Sequence, residues 1–355
     1  MDRFYRQPWL QSALSDGIFI LLPPFFSLLM VLLFPAQFQE AEGIPPIYWL
    51  LLVVFIDVAH VYSTLYRTYF NPDNFRRQSA LLIGIPLFCY IVGVLLYQFD
   101  DLWFWRILAY LAVYHFIRQQ YGFMRLYSRE EYLPVYVKCI DQITIYTAAV
   151  YPLLFWHLSS NRNFCWFVEG DFLLFKNERL LQLSGVVYIL VIGTYFIKEF
   201  ILIIIKKQVN IPRNLLVLGT FLSWYFGIVY FNGDMAFTTL NVISHGIPYM
   251  ALIWFFERKK LCHKPGTMKG KLMKLSFGRY GVFYFLLTLV VFAYFEEGLW
   301  DGLVWGEHRA LFSLFTRLPQ ISDHQFLSLL IPLLTLPQAT HYVLDGFIWK
   351  SKHKF

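Results

Sequence analysis

Apolar residues run along this chain in blocks of about 18 or more, separated by short polar stretches. They extend from LLPPFFSLLMVLLF near the start to FLSLLIPLLTL near the end. Blocks that long predict helices that cross a bilayer, because inside hydrocarbon a backbone must satisfy its own hydrogen bonds. About ten are read, over residues 17–35, 47–70, 79–98, 103–126, 136–158, 181–205, 212–232, 235–257, 281–298 and 326–349. The expected fold is an all-α, polytopic membrane bundle forming one transmembrane domain over residues 1–355. No cleavable signal peptide is expected, since polar residues run to Asp16 and no small-residue cleavage site follows the first block.

Composition agrees with the pattern. Hydrophobic residues make up 58% of the 355 residues and charged residues 15%, far more apolar than an ordinary soluble domain. Placing both termini on the cytoplasmic side puts 21 Lys and Arg in inward segments and six in outward ones, as the positive-inside rule requires. Glu40, Glu42, Asp100, Asp101, Glu296, Glu297 and Asp301 fall outside. The net charge of +7 is thus explained by sidedness and anionic lipid, and it does not argue for a nucleic-acid partner. Four cysteines, scattered between the bilayer and both sides, suggest no disulfide framework and no zinc knuckle. The outer segment VWGEHRALFSLFTRL has helical apolar spacing, so a helix lying on the membrane surface is expected there.

Ionisable side chains are costly in a bilayer and mark function. Their distribution here is uneven. His60, His115, His245 and His341 each lie about 9–12 residues before the inner end of their span, so all four occupy one layer roughly 13–18 Å above it. Each has polar companions on its own helical face. Asp57, Thr64 and Arg67 accompany His60; Arg118 and Gln119 accompany His115; Asn241 accompanies His245; Gln338 and Asp345 accompany His341. Asp141, Lys198 and Glu199 lie on spans without a layer histidine, and adjacent Lys198 and Glu199 do not share a helical face.

Four neutral imidazoles with nearby carboxylates suit a transition metal. The sequence therefore predicts His60, His115, His245 and His341 as metal ligands, with Asp57 and Asp345 ligating or orienting them. Arg67, Arg118, Gln119, Asn241 and Gln338 are expected to contact substrate or support the cofactor site. Non-haem iron is the leading cofactor, with haem, copper or zinc as alternatives. The plan is similar to that of membrane-integral iron oxygenases such as bacterial carotene-cleaving dioxygenases, although no local motif is shared. HExxH and the clustered histidine boxes of membrane desaturases are absent. The expected activity is a metal-dependent oxidoreductase acting on a hydrophobic or amphipathic small molecule, with membrane lipid around it and an electron donor as partner. Its place is the bacterial inner membrane or an equivalent bilayer. A b-type haem electron-transfer protein and a proton-coupled transporter are the rival readings.

Overall fold

The computed structural model describes residues 7–39, 43–160, 162–207, 209–263 and 270–349. It is 79% helical, without a strand among the described residues. Arg3, Arg6, Glu40, Glu42, Lys264, Lys269, Lys350, Lys352 and Lys354, used above to assign sidedness, lie outside the described residues.

The longer helices, in chain order, are α1 (Ala13–Leu21), α2 (Pro23–Leu33), α3 (Pro46–Arg67), α4 (Ser79–Phe99), α5 (Asp101–Tyr127), α6 (Val135–Leu158), α7 (Glu178–Lys206), α8 (Ile211–Trp224), α9 (Asp234–His263), α10 (Gly281–Trp305), α11 (His324–Leu334) and α12 (Leu336–Ile348). By length and composition α3, α4, α7, α9 and α10 can cross a membrane, and up to seven spans result if the bent pairs α1/α2 (51°) and α11/α12 (43°) each count as one. Each of the remaining predicted spans also falls on helix, but α5, α6 and α8, the last continued by a π-helical stretch to Tyr230, are too polar to qualify. A helix that faces protein has no need of a uniformly apolar surface. In α9 72% of the apolar window is buried, against 11% in α4.

The chain divides into two compact units. One comprises residues 1–43, 116–165 and 172–248, and the other residues 44–115, 166–171 and 249–355.

In the first unit, Asp16 ties the start of the chain to α1 by accepting from the Leu10 and Gln11 amides at 2.5 and 3.0 Å. Gly219 lets α8 approach α2 closely, since a Cβ there would come within 2.6 Å of Pro24. The polar centre of this unit is Arg213, 1% exposed. Its Nη1 donates to Glu131 at 2.7 and 2.9 Å and to Asp141 at 3.4 Å, while its Nη2 donates to Glu199. Lys198 pairs with both Asp141 and Glu199. The adjacent Lys198 and Glu199 thus meet despite diverging along α7, because the long lysine stem carries its ammonium around the helix. Burial pushes the Glu131 carboxyl above its ordinary range, against the pull of Arg213.

The core of the second unit packs Tyr97, Phe104, Trp105, Leu108, Trp300, Ile331 and Tyr342. In the segment after α10 the expected surface helix is not formed. Gly306, at φ 67, ends α10, and only Ser313–Phe315 makes a 3₁₀ turn in the segment after it. Phe312 and Phe315 turn inward instead, and the Phe315 ring occupies the space where a Cβ of Gly298 would stand. Seating two aromatic rings against α10 removes the apolar face on which a surface helix would depend.

Candidate metal centre

Three of the layer histidines meet inside the second unit. His60 stands in the first α-helical turn after a π-helical stretch, Leu50–Val58, within α3. Wide turns of this kind recur at functional sites, and nothing in the run LLLVVFIDV signals it. His115 comes from α5 and His341 from α12. All three are buried, at 1%, 1% and 2% exposure. Their ring centroids are 4.4 Å apart for His115 and His341, 5.1 Å for His60 and His341, and 6.4 Å for His60 and His115.

The outer nitrogens of these rings each have a polar neighbour. His60 Nδ1 lies 3.5 Å from Asp57 Oδ1, and His115 Nδ1 lies 3.4 Å from Asp345 Oδ2. His341 Nδ1 is 2.7 Å from Thr64 Oγ1. Beyond Thr64 the network closes on itself: Thr64 meets the Tyr249 hydroxyl at 3.2 Å, and Tyr249 donates to Asp345 Oδ1 at 2.7 Å. Trp349 Nε1 donates to the same oxygen at 2.6 Å.

This circuit fixes tautomers. Because Tyr249 gives its proton to Asp345, its oxygen accepts from Thr64, whose oxygen in turn accepts from His341 Nδ1–H. The lone pair of His341 is left on Nε2. The carboxylate beside His115 Nδ1 favours the proton on that nitrogen as well, which leaves its lone pair also on Nε2. Those two Nε2 atoms are 3.1 Å apart. At that distance one nitrogen donates to the other or, with both lone pairs turned inward, the two face one cation; about 3 Å also separates two nitrogens that bind one metal at adjacent positions with bonds of roughly 2.0–2.1 Å.

His245 belongs to the first unit. Its ring stacks on Phe116 with centroids 3.4 Å apart, and Gln119 Nε2 donates to its carbonyl at 2.9 Å. Pro248 has no N–H to offer the Ser244 carbonyl, so Gln120 donates to it instead, at 3.5 Å. Within the second unit the ligand nitrogens of His60, His115 and His341 lie within 4.8 Å of one another, and this buried group could hold a metal ion.

The other residues singled out from the sequence stand as follows. Arg67 is sandwiched between Phe256 and Trp349, 4.0 and 4.1 Å from their ring centres, and faces Glu257 at 3.6 Å. Arg118 donates to the Tyr146 hydroxyl at 2.7 Å. Asn241 donates to the Phe237 carbonyl at 2.9 Å, one turn back on α9. Gln338 donates to Glu296 at 3.4 Å. Thr64, a helical neighbour of His60, and Tyr249 together carry the hydrogen-bond circuit. Their signal was available, since Thr64 is one turn from His60 and Tyr249 one turn from His245.

No protein-family model, no curated protein and no solved structure matches the chain.

Proposed function

We propose that this chain is a membrane-embedded metalloenzyme with about ten spans and both termini cytoplasmic, holding one non-haem iron ion on His60, His115 and His341, with His245 offered as a further ligand by its depth in the sequence alone. The observation that carries the reading is the approach of the His115 and His341 Nε2 atoms to 3.1 Å, backed by the outer nitrogens of His60, His115 and His341, each of which faces a carboxylate or hydroxyl. Asp57 and Asp345 then serve to orient and charge-balance the imidazoles rather than to ligate. Iron on imidazoles would supply one-electron chemistry and oxygen activation. Residues of the chain do the rest: they hold the rings in one tautomer, keep bulk water out, and surround the centre with lipid-accessible helices through which a hydrophobic substrate enters. An electron donor completes the reaction.

A haem is disfavoured by the same geometry, because rings whose centroids are 4.4–6.4 Å apart leave no slot for a macrocycle among them. Elemental analysis and an absorption spectrum of the purified protein test the proposal together. Stoichiometric iron without a Soret band is expected. A Soret band would establish the haem reading, and protein active in transport but free of metal would establish a transporter.

The orienting role has its own test. Thr64→Val removes the acceptor of His341 Nδ1–H and should weaken metal affinity about 10–100-fold, the usual worth of an outer hydrogen-bond partner. Asp345→Asn should fall at the low end of that range, since a carboxamide still places a polar oxygen beside His115 Nδ1. Competition against a chelator measures both, and unchanged affinity in Thr64→Val would remove the circuit from the account.

A further inference from the structure

Prolines interrupt two helices of the first unit around one cavity. Pro23 and Pro24 carry no N–H, and the next two amides, those of Phe25 and Phe26, both donate to the Leu22 carbonyl, at 3.0 and 2.9 Å. Helix α1 therefore ends with the Ile20 and Leu21 carbonyls lacking an amide partner. On α9 Pro248 likewise offers nothing to the Ser244 carbonyl, which keeps only the 3.5 Å bond from Gln120.

Ile20, Leu21, Gln120, Thr220, Ser223 and Ser244 line a cavity of about 10 Å³, room for one water-sized particle. None of the six is more than 6% exposed. Thr220 and Ser223 stand one turn apart on α8. The single Thr220 hydroxyl proton goes to the Leu216 carbonyl at 2.9 Å or to Gln120 Oε1 at 3.1 Å, so one of the two goes without. Ser223 donates to the Thr220 carbonyl at 3.3 Å, and Ser244 to the Leu240 carbonyl at 2.5 Å. With their protons spent, these hydroxyls keep lone pairs to give.

Acceptors thus outnumber donors around the cavity. A water molecule has two protons to offer, fewer than three freed carbonyls call for, whereas a cation satisfies every oxygen it touches. Among the described residues no carboxylate lines the cavity, which suits a monovalent ion, and the negative end of the α1 dipole supplies part of the field. Interrupted membrane helices use freed carbonyls and half-helix C-termini in this way to coordinate Na⁺. We infer that the cavity binds one dehydrated sodium ion through the carbonyls of Ile20, Leu21 and Ser244 and the hydroxyls of Thr220 and Ser223. The small volume favours Na⁺ over the larger K⁺. The ion ties α1, α8 and the first half of α9 together and so holds both bends.

Thermal unfolding of the full chain in detergent, at constant ionic strength in sodium, potassium or choline chloride, tests the site. Sodium should raise the midpoint saturably, as a ligand of the folded state does, potassium should do so only at higher concentration, and choline not at all. Thr220→Val and Ser223→Ala should each weaken sodium affinity about 10–100-fold, the worth of one polar contact to a charged group, while their midpoints in choline stay close to that of the wild type. Pro248→Ala gives the Ser244 carbonyl an amide donor and should weaken sodium binding as well. Where Thr220→Val does not fold, Ser223→Ala decides. Sodium midpoints equal to those in choline or potassium, or a sodium response unchanged in both hydroxyl variants, would overturn the site and leave the cavity to water. His341→Ala should keep the full response, because no ligand of the sodium site belongs to the second unit, so the site and the metal centre stand or fall separately.

Discussion

Replacing His341 with alanine is expected to strip the protein of its metal while leaving it folded in the membrane. His341 touches most of the site at once: its Nε2 lies 3.1 Å from that of His115, and its Nδ1 anchors the Thr64–Tyr249–Asp345 circuit. Loss of an outer partner costs about 10–100-fold in metal affinity, so loss of this ring should exceed about 100-fold. Alanine also leaves a cavity, at a cost of about 2–5 kcal/mol for a large side chain, which folding in a membrane bundle can survive. His341→Asn controls for the cavity, because it keeps a polar group against Thr64 but offers no imidazole nitrogen. Metal content by elemental analysis, with fold followed by circular dichroism and elution volume, reads the outcome. A folded His341→Ala variant that retains wild-type metal would refute the centre. His60→Ala and His115→Ala should behave alike. Each removes a nitrogen from the same group, whereas substituting His308, which packs against Trp49 in the segment after α10, should leave metal unchanged.

The histidine layer was legible because two periodicities coincided. Depth along the helices put four imidazoles in one plane, and the i,i+3 and i,i+4 spacings put a polar partner beside each. The same depth argument reaches the Arg213 cluster, since Asp141, Lys198, Glu199 and Arg213 all fall toward the ends of their helices that the proposed topology makes cytoplasmic. It went unread because Arg213 and Glu131 sit at helix and loop edges, where charge is ordinarily solvated. Direction was harder to read than depth. Arg67 lies on the His60 side of α3, yet its guanidinium stacks between Phe256 and Trp349, contacts that depend on α9 and α12. The π-helical stretch before His60 and the inward turn of Phe312 and Phe315 had no local signal, since both arise from packing against other elements. Span number is less legible for a related reason: apolar blocks mark burial as well as lipid contact, and α5, α6 and α8 carry buried polar residues such as Gln119, Gln120, Asp141 and Thr220.

Arg213→Met should destabilise the protein by about 3–5 kcal/mol, the cost of breaking a buried ion pair from one side. In the native cluster two cations, Arg213 and Lys198, face three carboxylates, Glu131, Asp141 and Glu199. Methionine fills much of the arginine's volume, so the change isolates charge and hydrogen bonding from packing. It leaves one buried ammonium against three carboxylates, and also strips Glu131 of its bidentate donor. Neutralising the excess should then recover stability. In Arg213→Met with Glu131→Gln and Glu199→Gln, Lys198 faces Asp141 alone, and most of the loss should return even though more native residues have been removed. Arg213→Lys should fall between, because an ammonium cannot fork toward Glu131 and Glu199 at once. Thermal unfolding in detergent, followed by the loss of monodisperse protein, ranks the four proteins. The order expected is wild type, triple variant, lysine variant and methionine variant. A methionine variant as stable as wild type would mean that desolvation cancels the pairing, as it does in some buried clusters. A triple variant less stable than the single one would mean that geometry, not charge balance, holds the cluster together.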